Sequence, residues 1–420
     1  MNDKVLYWIW LTLCFPPANR RMLLALEHMD PEALYEKRQD PGLPFLTSAD
    51  LHRLRTVSLA SAEKVLTDCQ KLEVELLTME DPAYPRRLRE IDSPPPVLYY
   101  QGDLSNLDDA LTIGVVGTRR VSDYYRRATG NISYQLARAG AVIVSGCAVG
   151  CDEYGHRGAL RAGGRTVGVL ACGFGVNYPV ETRELREAML QRGGALISEL
   201  PPGTGKDSGY FRVRNRLIAA LSEGVLVTQV PVRSGALLTA DHAVEQGKEL
   251  FCLPPNDIFS PDCMGSASLI RDGARVIFSA RDILDEYLER FGPAVDQQRL
   301  PAENMTPPSV GRRTAVRSKP DPAAVSAEKP EEVTVPQPEE QPAAPAAPQP
   351  EETPVSPAPL PEELSENQRK ILKRLEEGPA HVEDLLTCVE AAPYELLALL
   401  TELELLGLVR ALSGQRYERS

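Results

Sequence analysis

No two of the eight cysteines stand in a C-x-x-C pair, and no Cys/His spacing suits zinc. Neither a disulfide framework nor a structural metal is expected, and the pattern fits a reducing compartment. Cys147 and Cys151, four apart among small residues, read as small apolar fillers. No apolar run is long enough to span a membrane. The apolar start, residues 6–15, has only Lys4 ahead of it, two tryptophans within it and Pro16-Pro17 where a small-residue cleavage site would stand. A buried first helix is therefore expected rather than a signal peptide, and no membrane partner. An excess of positive charge is also missing, since the formal net charge is −13. The acidity is uneven, however. Residues 111–280 hold 19 Lys/Arg against 15 Asp/Glu, and the rest of the chain holds 27 against 44. A local basic groove stays possible inside an acidic protein.

Residues 1–75 carry short helical patterns with polar breaks, as in a small helical domain. Two short strands, near 74–77 and 97–100, lead into a regular alternation. Strands are expected at 112–117, 141–145, 166–171, 195–199, 224–230, 249–253 and 275–278, with helices between them. That spacing predicts a parallel, doubly wound α/β sheet over 76–292, with its ligand site at the carboxyl ends of the strands near a switch in strand order. Residues 293–361 then hold 17 of the 36 prolines among Ala, Glu and Gln. Such a composition predicts an extended, disordered acidic linker. From 362 to 420, three helical patterns and a hairpin around Ser413-Gly414 predict a winged helix. Its expected recognition helix, 393–403, has no lysine or arginine, so a contact with protein, or with the core itself, is expected of it rather than duplex DNA.

The chain is organised around residues 112–160. A buried strand ends at Gly117, followed by Thr118-Arg119-Arg120. A second ends at Ser145-Gly146, with a helix opening near Asp152. Glycine at a strand end allows close backbone approach, and a following helix N-terminus favours an anion. Two such cradles beside Arg119 predict a phosphate-binding edge. The loop 201–206 imitates a P-loop but fails it: Leu200 replaces the first glycine and Asp207 the magnesium-holding hydroxyl. No G-x-G-x-x-G follows a strand, and Gly173-Phe174-Gly175 reads as a tight turn. Asp152 and His156, one helical turn apart, read as structural, because nothing in sequence completes a catalytic set. More specific is the run Phe211-Arg212-Val213-Arg214-Asn215-Arg216 at a helix start, where arginines and an aromatic suit phosphate contact and base stacking. Ser234 and Thr239 add hydroxyls at a further helix start.

Together these segments resemble the DNA processing protein A (DprA, or Smf) family. The resemblance rests on GVVGTR at 114–119, SGCAVGCD at 145–152, HRGAL at 156–160, ISELPPG at 197–203, FRVRNRLIAAL at 211–221, SGALLTA at 234–240 and LIRDGA at 269–274. It implies an extended Rossmann-like domain, a small N-terminal helical domain of the SAM or helix-hairpin-helix kind, and a C-terminal winged helix. It also implies a cytoplasmic, dimeric, non-enzymatic protein without cofactor or metal, which binds single-stranded DNA and loads the RecA recombinase during natural transformation. By position, the DNA site would use Gly117, Thr118, Arg119, Ser145, Gly146, Phe211, Arg214, Asn215 and Arg216, with Ser234 and Thr239. The chain departs from the family pattern at Val149, Gln229, Pro255 and Ala267. The alternative is a Rossmann-like nucleotide-processing enzyme of the phosphoribohydrolase kind, whose P-G-G-x-G-T-x-x-E motif is absent.

Overall fold

The structure is a computed structural model. It describes residues 4–40, 43, 46–296, 364–376, 378–386, 388–389, 396, 399–400, 402–404, 408–412 and 416–419. Nine strands form one sheet: β1 (Glu75–Thr78), β2 (Val97–Gly102), β3 (Thr112–Val116), β4 (Val142–Ser145), β5 (Thr166–Val169), β6 (Ala195–Ser198), β7 (Gly224–Val227), β8 (Glu249–Cys252) and β9 (Arg275–Val276). Their order is β1-β2-β6-β5-β4-β3-β7-β8-β9. From β3 to β9 every pairing is parallel, while β1 and β2 add antiparallel at one edge. The chain begins the parallel part in the middle, winds outward through β4, β5 and β6, then returns to β7 on the other side of β3. The strand order reverses there, so the loops after β3 and β7 diverge and leave a crevice.

The period of two along each strand explains the layering. Ile113, Val115, Ile143 and Leu226 face one core, with Tyr125, Leu136 and Ala159 from the helices Asp123–Arg138 and Cys151–Arg161. Val116, Val142, Val144, Val225 and Val227 face the other, with Leu217, Leu221 and Ala240 from the helices Ser208–Leu221 and Gly235–Glu245. Central strands covered on both sides must be apolar at every position, which is why they read as continuous runs.

The five N-terminal helices, Lys4–Cys14, Arg20–His28, Pro31–Glu36, Ser48–Thr56 and Leu59–Lys71, do not form a core of their own. Trp8, Ile9, Trp10 and Leu11 pack in one cluster with Val97, Tyr99, Leu170, Phe174 and Met189 of the sheet layer. A first helix that is hydrophobic nearly all round must be covered on several sides, and the sheet covers one of them. Helices and sheet therefore belong to one compact unit. That unit continues past 292: Val295 is buried, and the Asp296 amide donates to the Ala139 carbonyl at 2.8 Å. The expected linker beyond this point, 297–361, lies outside the described residues.

The C-terminal unit is a winged helix. Its helices Glu366–Leu375 and Val382–Leu386 flank the first strand of a three-stranded sheet, in which Arg416–Arg419 pairs with both Ala380–His381 and Val409–Leu412. Ile371, Leu372, Leu385, Leu396, Leu400 and Leu403 form its core. Most of the expected recognition helix, 393–403, lies outside the described residues.

Candidate nucleic-acid interface

The two strand-end cradles are built, and the protein itself fills them. After β3, the Thr118 amide donates to the Gln229 carbonyl at 2.8 Å, and the Thr118 carbonyl accepts from the Cys151 amide at 3.2 Å. The Gln229 side chain accepts from the Ser122 amide at 2.9 Å, tying the turn to the start of the next helix. A Cβ at Gly117 would lie 2.9 Å from both the Gln229 carbonyl oxygen and the Cys151 Cβ. Glycine is needed here for packing and not for a ligand's approach. After β4, Ser145 is buried and its hydroxyl donates to the Val115 carbonyl. The Gly146 and Ala148 amides both donate to Asp152 Oδ2, at 3.2 and 3.4 Å. The anion in the second cradle is thus the protein's own carboxylate.

The charge of a buried cation, Arg214, acts on Asp152. Arg214 is only 5% exposed and donates to the carbonyls of Gly146, at 2.9 Å, and Val169. Burial raises the carboxyl of Asp152, and the Arg214 charge opposes that shift. Arg216, 6% exposed, turns to the other side of its helix and grips Glu199 with two nitrogens, at 2.6 and 3.3 Å. The sequence places both arginines at the groove surface. Both instead hold the fold, because in the interior a guanidinium stays charged and needs fixed acceptors. Asp152 lies inside its helix, whose N-cap is Gly150, and caps the turn before it. His156 is fully buried between the Thr166 hydroxyl, at 2.7 Å, and the Cys147 sulfur, at 3.6 Å.

The open surface lies just outside this frame. Three cavities of about 340, 920 and 140 Å³ adjoin at the crevice, and Arg119 and Phe211 line all three. The Arg119 guanidinium sits 4.9 Å from the centre of the Phe211 ring. Tyr178 meets Phe211 edge-on at 5.7 Å, and the Lys206 ammonium lies 4.8 Å from the Tyr178 ring. Asn215 donates to the Gly235 carbonyl at 3.0 Å, and Ser234 caps its helix through the Ala236 amide at 3.3 Å. Thr239 is buried on the floor. Around the rim stand Arg119, Arg120, Lys206, Arg212 and Arg233, all exposed. Among the described residues none of the five makes an ion pair. Of these, only Arg119 is assigned to the DNA site by its position in the sequence, while Arg212 belongs to the basic run 211–216 singled out there. Lys206 falls with the failed P-loop, although a lysine in a glycine loop at a strand end still marks a cationic edge. Arg212 sits off the apolar stripe of its helix, which is the signal that it faces solvent.

Comparison with known proteins supplies the lineage. The family model described as DNA recombination-mediator protein A matches residues 75–288. The chain belongs to this family. A second model, the DprA winged helix domain, matches residues 338–415. Protein Smf of Synechocystis sp. is 35% identical over 369 residues, 84% of this chain and 82% of that protein. The DNA processing protein DprA of Bacillus subtilis is 40% identical over 227 residues, 54% of this chain and 76% of that one. The X-ray structure of DprA from Streptococcus pneumoniae superposes with a TM-score of 0.57 at 30% identity, covering 66% of this chain and 95% of that one. Membership of a DNA-processing family agrees with a cationic crevice at the switch point. Among the described residues no helix is long and apolar enough to cross a membrane, and no group of acids, histidines and cysteines gathers as a metal site would.

Proposed function

We propose that the chain binds single-stranded DNA along the crevice and delivers it to a RecA-type recombinase, acting as a binding protein and not as an enzyme. One observation carries the reading: unpaired cations ring a cavity of about 920 Å³ that Tyr178 and Phe211 also line. Cations serve any nucleic acid, but aromatic rings serve bases that are free to stack, and only a single strand offers those. The recombinase step is supported by the family's description as a recombination mediator. A homodimer fits the exposed Ile258, Phe259 and Phe278, which follow β8 and the neighbouring edge strand β9.

The competing enzymatic reading needs a nucleophile. Cys147 and His156 are the pair closest to that description, yet burial pushes the thiol up to about 12 and the imidazole down to about 3. Neither form is suited to attack or proton transfer near neutrality. Anisotropy titrations with labelled single- and double-stranded oligonucleotides across salt test the proposal, alongside a nucleotide assay that follows base release. Preference for the duplex, or base release abolished by Cys147→Ala, would reverse it.

A further inference from the structure

A second cavity, of about 500 Å³, shares no lining residue with the crevice. It lies toward the opposite end of the sheet. Lys248, on its wall, immediately precedes β8, and Arg87 donates to Thr112, the first residue of β3, at 2.6 Å. Its volume falls in the range usual for small-molecule sites, roughly 300–1,000 Å³. The wall carries polar groups whose capacity is unspent. Gln246 gives its amide N–H to the Arg216 carbonyl at 3.2 Å, which leaves its buried Oε1 without a donor. The buried Nε of Arg216 has no acceptor, because Glu199 occupies only the two terminal nitrogens. Lys248, half-buried, and Arg20, exposed, make no ion pair among the described residues. The carboxylates of the wall are mostly engaged: Glu245 with His242 at 2.9 Å and Glu90 with Arg86 at 3.7 Å, leaving Asp92 at the exposed rim.

We infer that this cavity binds a phosphate monoester, carried either by a free small molecule or by the 5′ end of a DNA strand. The guanidinium Nε and the ammonium supply donors to the phosphate oxygens. The unsatisfied Gln246 oxygen needs a donor in return. A monoester holding one proton, or bearing a neighbouring hydroxyl, provides it, whereas an internal phosphodiester has no O–H to give. Burial of Lys248 disfavours its charge, so an anion beside it is the natural complement.

Calorimetric titration of the full chain with inorganic phosphate, and binding of matched 5′-phosphorylated and 5′-hydroxyl oligonucleotides, test this. Lys248→Ala and Arg20→Ala should each weaken phosphate binding about tenfold, and Arg119→Ala should leave it unchanged. A 5′-phosphate that tightens oligonucleotide binding in the natural protein but not in Lys248→Ala assigns the site to strand ends. Phosphate binding without that gain assigns it to free esters. The inference is overturned if neither probe binds the natural protein more tightly than these two variants. It is equally overturned if phosphate binding is lost in Arg119→Ala and kept in Lys248→Ala. Arg20→Ala, on the exposed surface, carries the test should Lys248→Ala fold poorly.

Discussion

The Arg214 guanidinium donates to the carbonyl oxygen of Gly146, 68 residues away in the chain and 2.9 Å away in space. The two residues are matched in shape as well as charge, for a Cβ on that glycine would lie 2.7 Å from the arginine's Nη2. Removing the arginine leaves Asp152 buried without its cation. Arg214→Ala should therefore lose roughly 3–5 kcal/mol of stability. Arg212→Ala, two residues earlier and exposed, should stay within about 0.5 kcal/mol. Urea unfolding of the two variants is the check, and equal losses would refute this division of labour.

The rim cations should act on DNA and not on folding. Alanine at Arg119, Lys206, Arg212 or Arg233 should each lower the salt slope of single-strand affinity by about 0.7 for every phosphate the side chain neutralises. Thermal midpoints should hardly move. A variant with unchanged affinity and slope takes that residue out of the path of the strand.

Phe211 should behave differently. Its loss removes a stacking face, so Phe211→Leu should weaken binding by about 1–3 kcal/mol while leaving the salt slope nearly as it was. A slope that falls with the affinity would mean the ring serves only to hold Arg119.

His156 gives stability a defined dependence on pH. An unfolded histidine takes up a proton below its ordinary 6.5, the buried one only near 3. Between those values the unfolded chain holds the additional proton. The contribution of His156 is complete above pH 6.5 and declines as pH falls toward 3, by up to about 1.4 kcal/mol per pH unit. Asp152, whose carboxyl is raised by burial, opposes this trend, so the comparison must be with His156→Gln. The variant should show a shallower loss over that window, read from denaturant unfolding at stepped pH.

The sheet is legible in the sequence because its cause is local. Val142–Ser145 and Gly224–Val227 are buried along their whole length, and a strand covered on both faces cannot hide its apolar run. The positions of the arginines are not legible from charge alone. Arg214 lies three, four and seven residues before Leu217, Ile218 and Leu221, all buried, so helical spacing places it on the core stripe. Read as a basic cluster, it looks like surface. Arg216 points elsewhere because its partner, Glu199, sits 17 residues earlier at the end of a strand, a pairing that no local pattern announces. The merging of the N-terminal helices with the sheet is hidden for the same reason: Trp10 and Tyr99 meet in one core only after β2 has paired antiparallel with β6.

Because Asp152 takes the Gly146 and Ala148 amides and Arg214 is spent on the carbonyls of Gly146 and Val169, the crevice has neither those amides nor that guanidinium with which to clamp a phosphate. Its attraction rests on long side chains in water, whose hold weakens as counterions accumulate. A strand gripped in this way can be surrendered stepwise, one phosphate at a time, to whatever polymer grows along it. For the proposed hand-over to a recombinase, a loose hand is the useful kind.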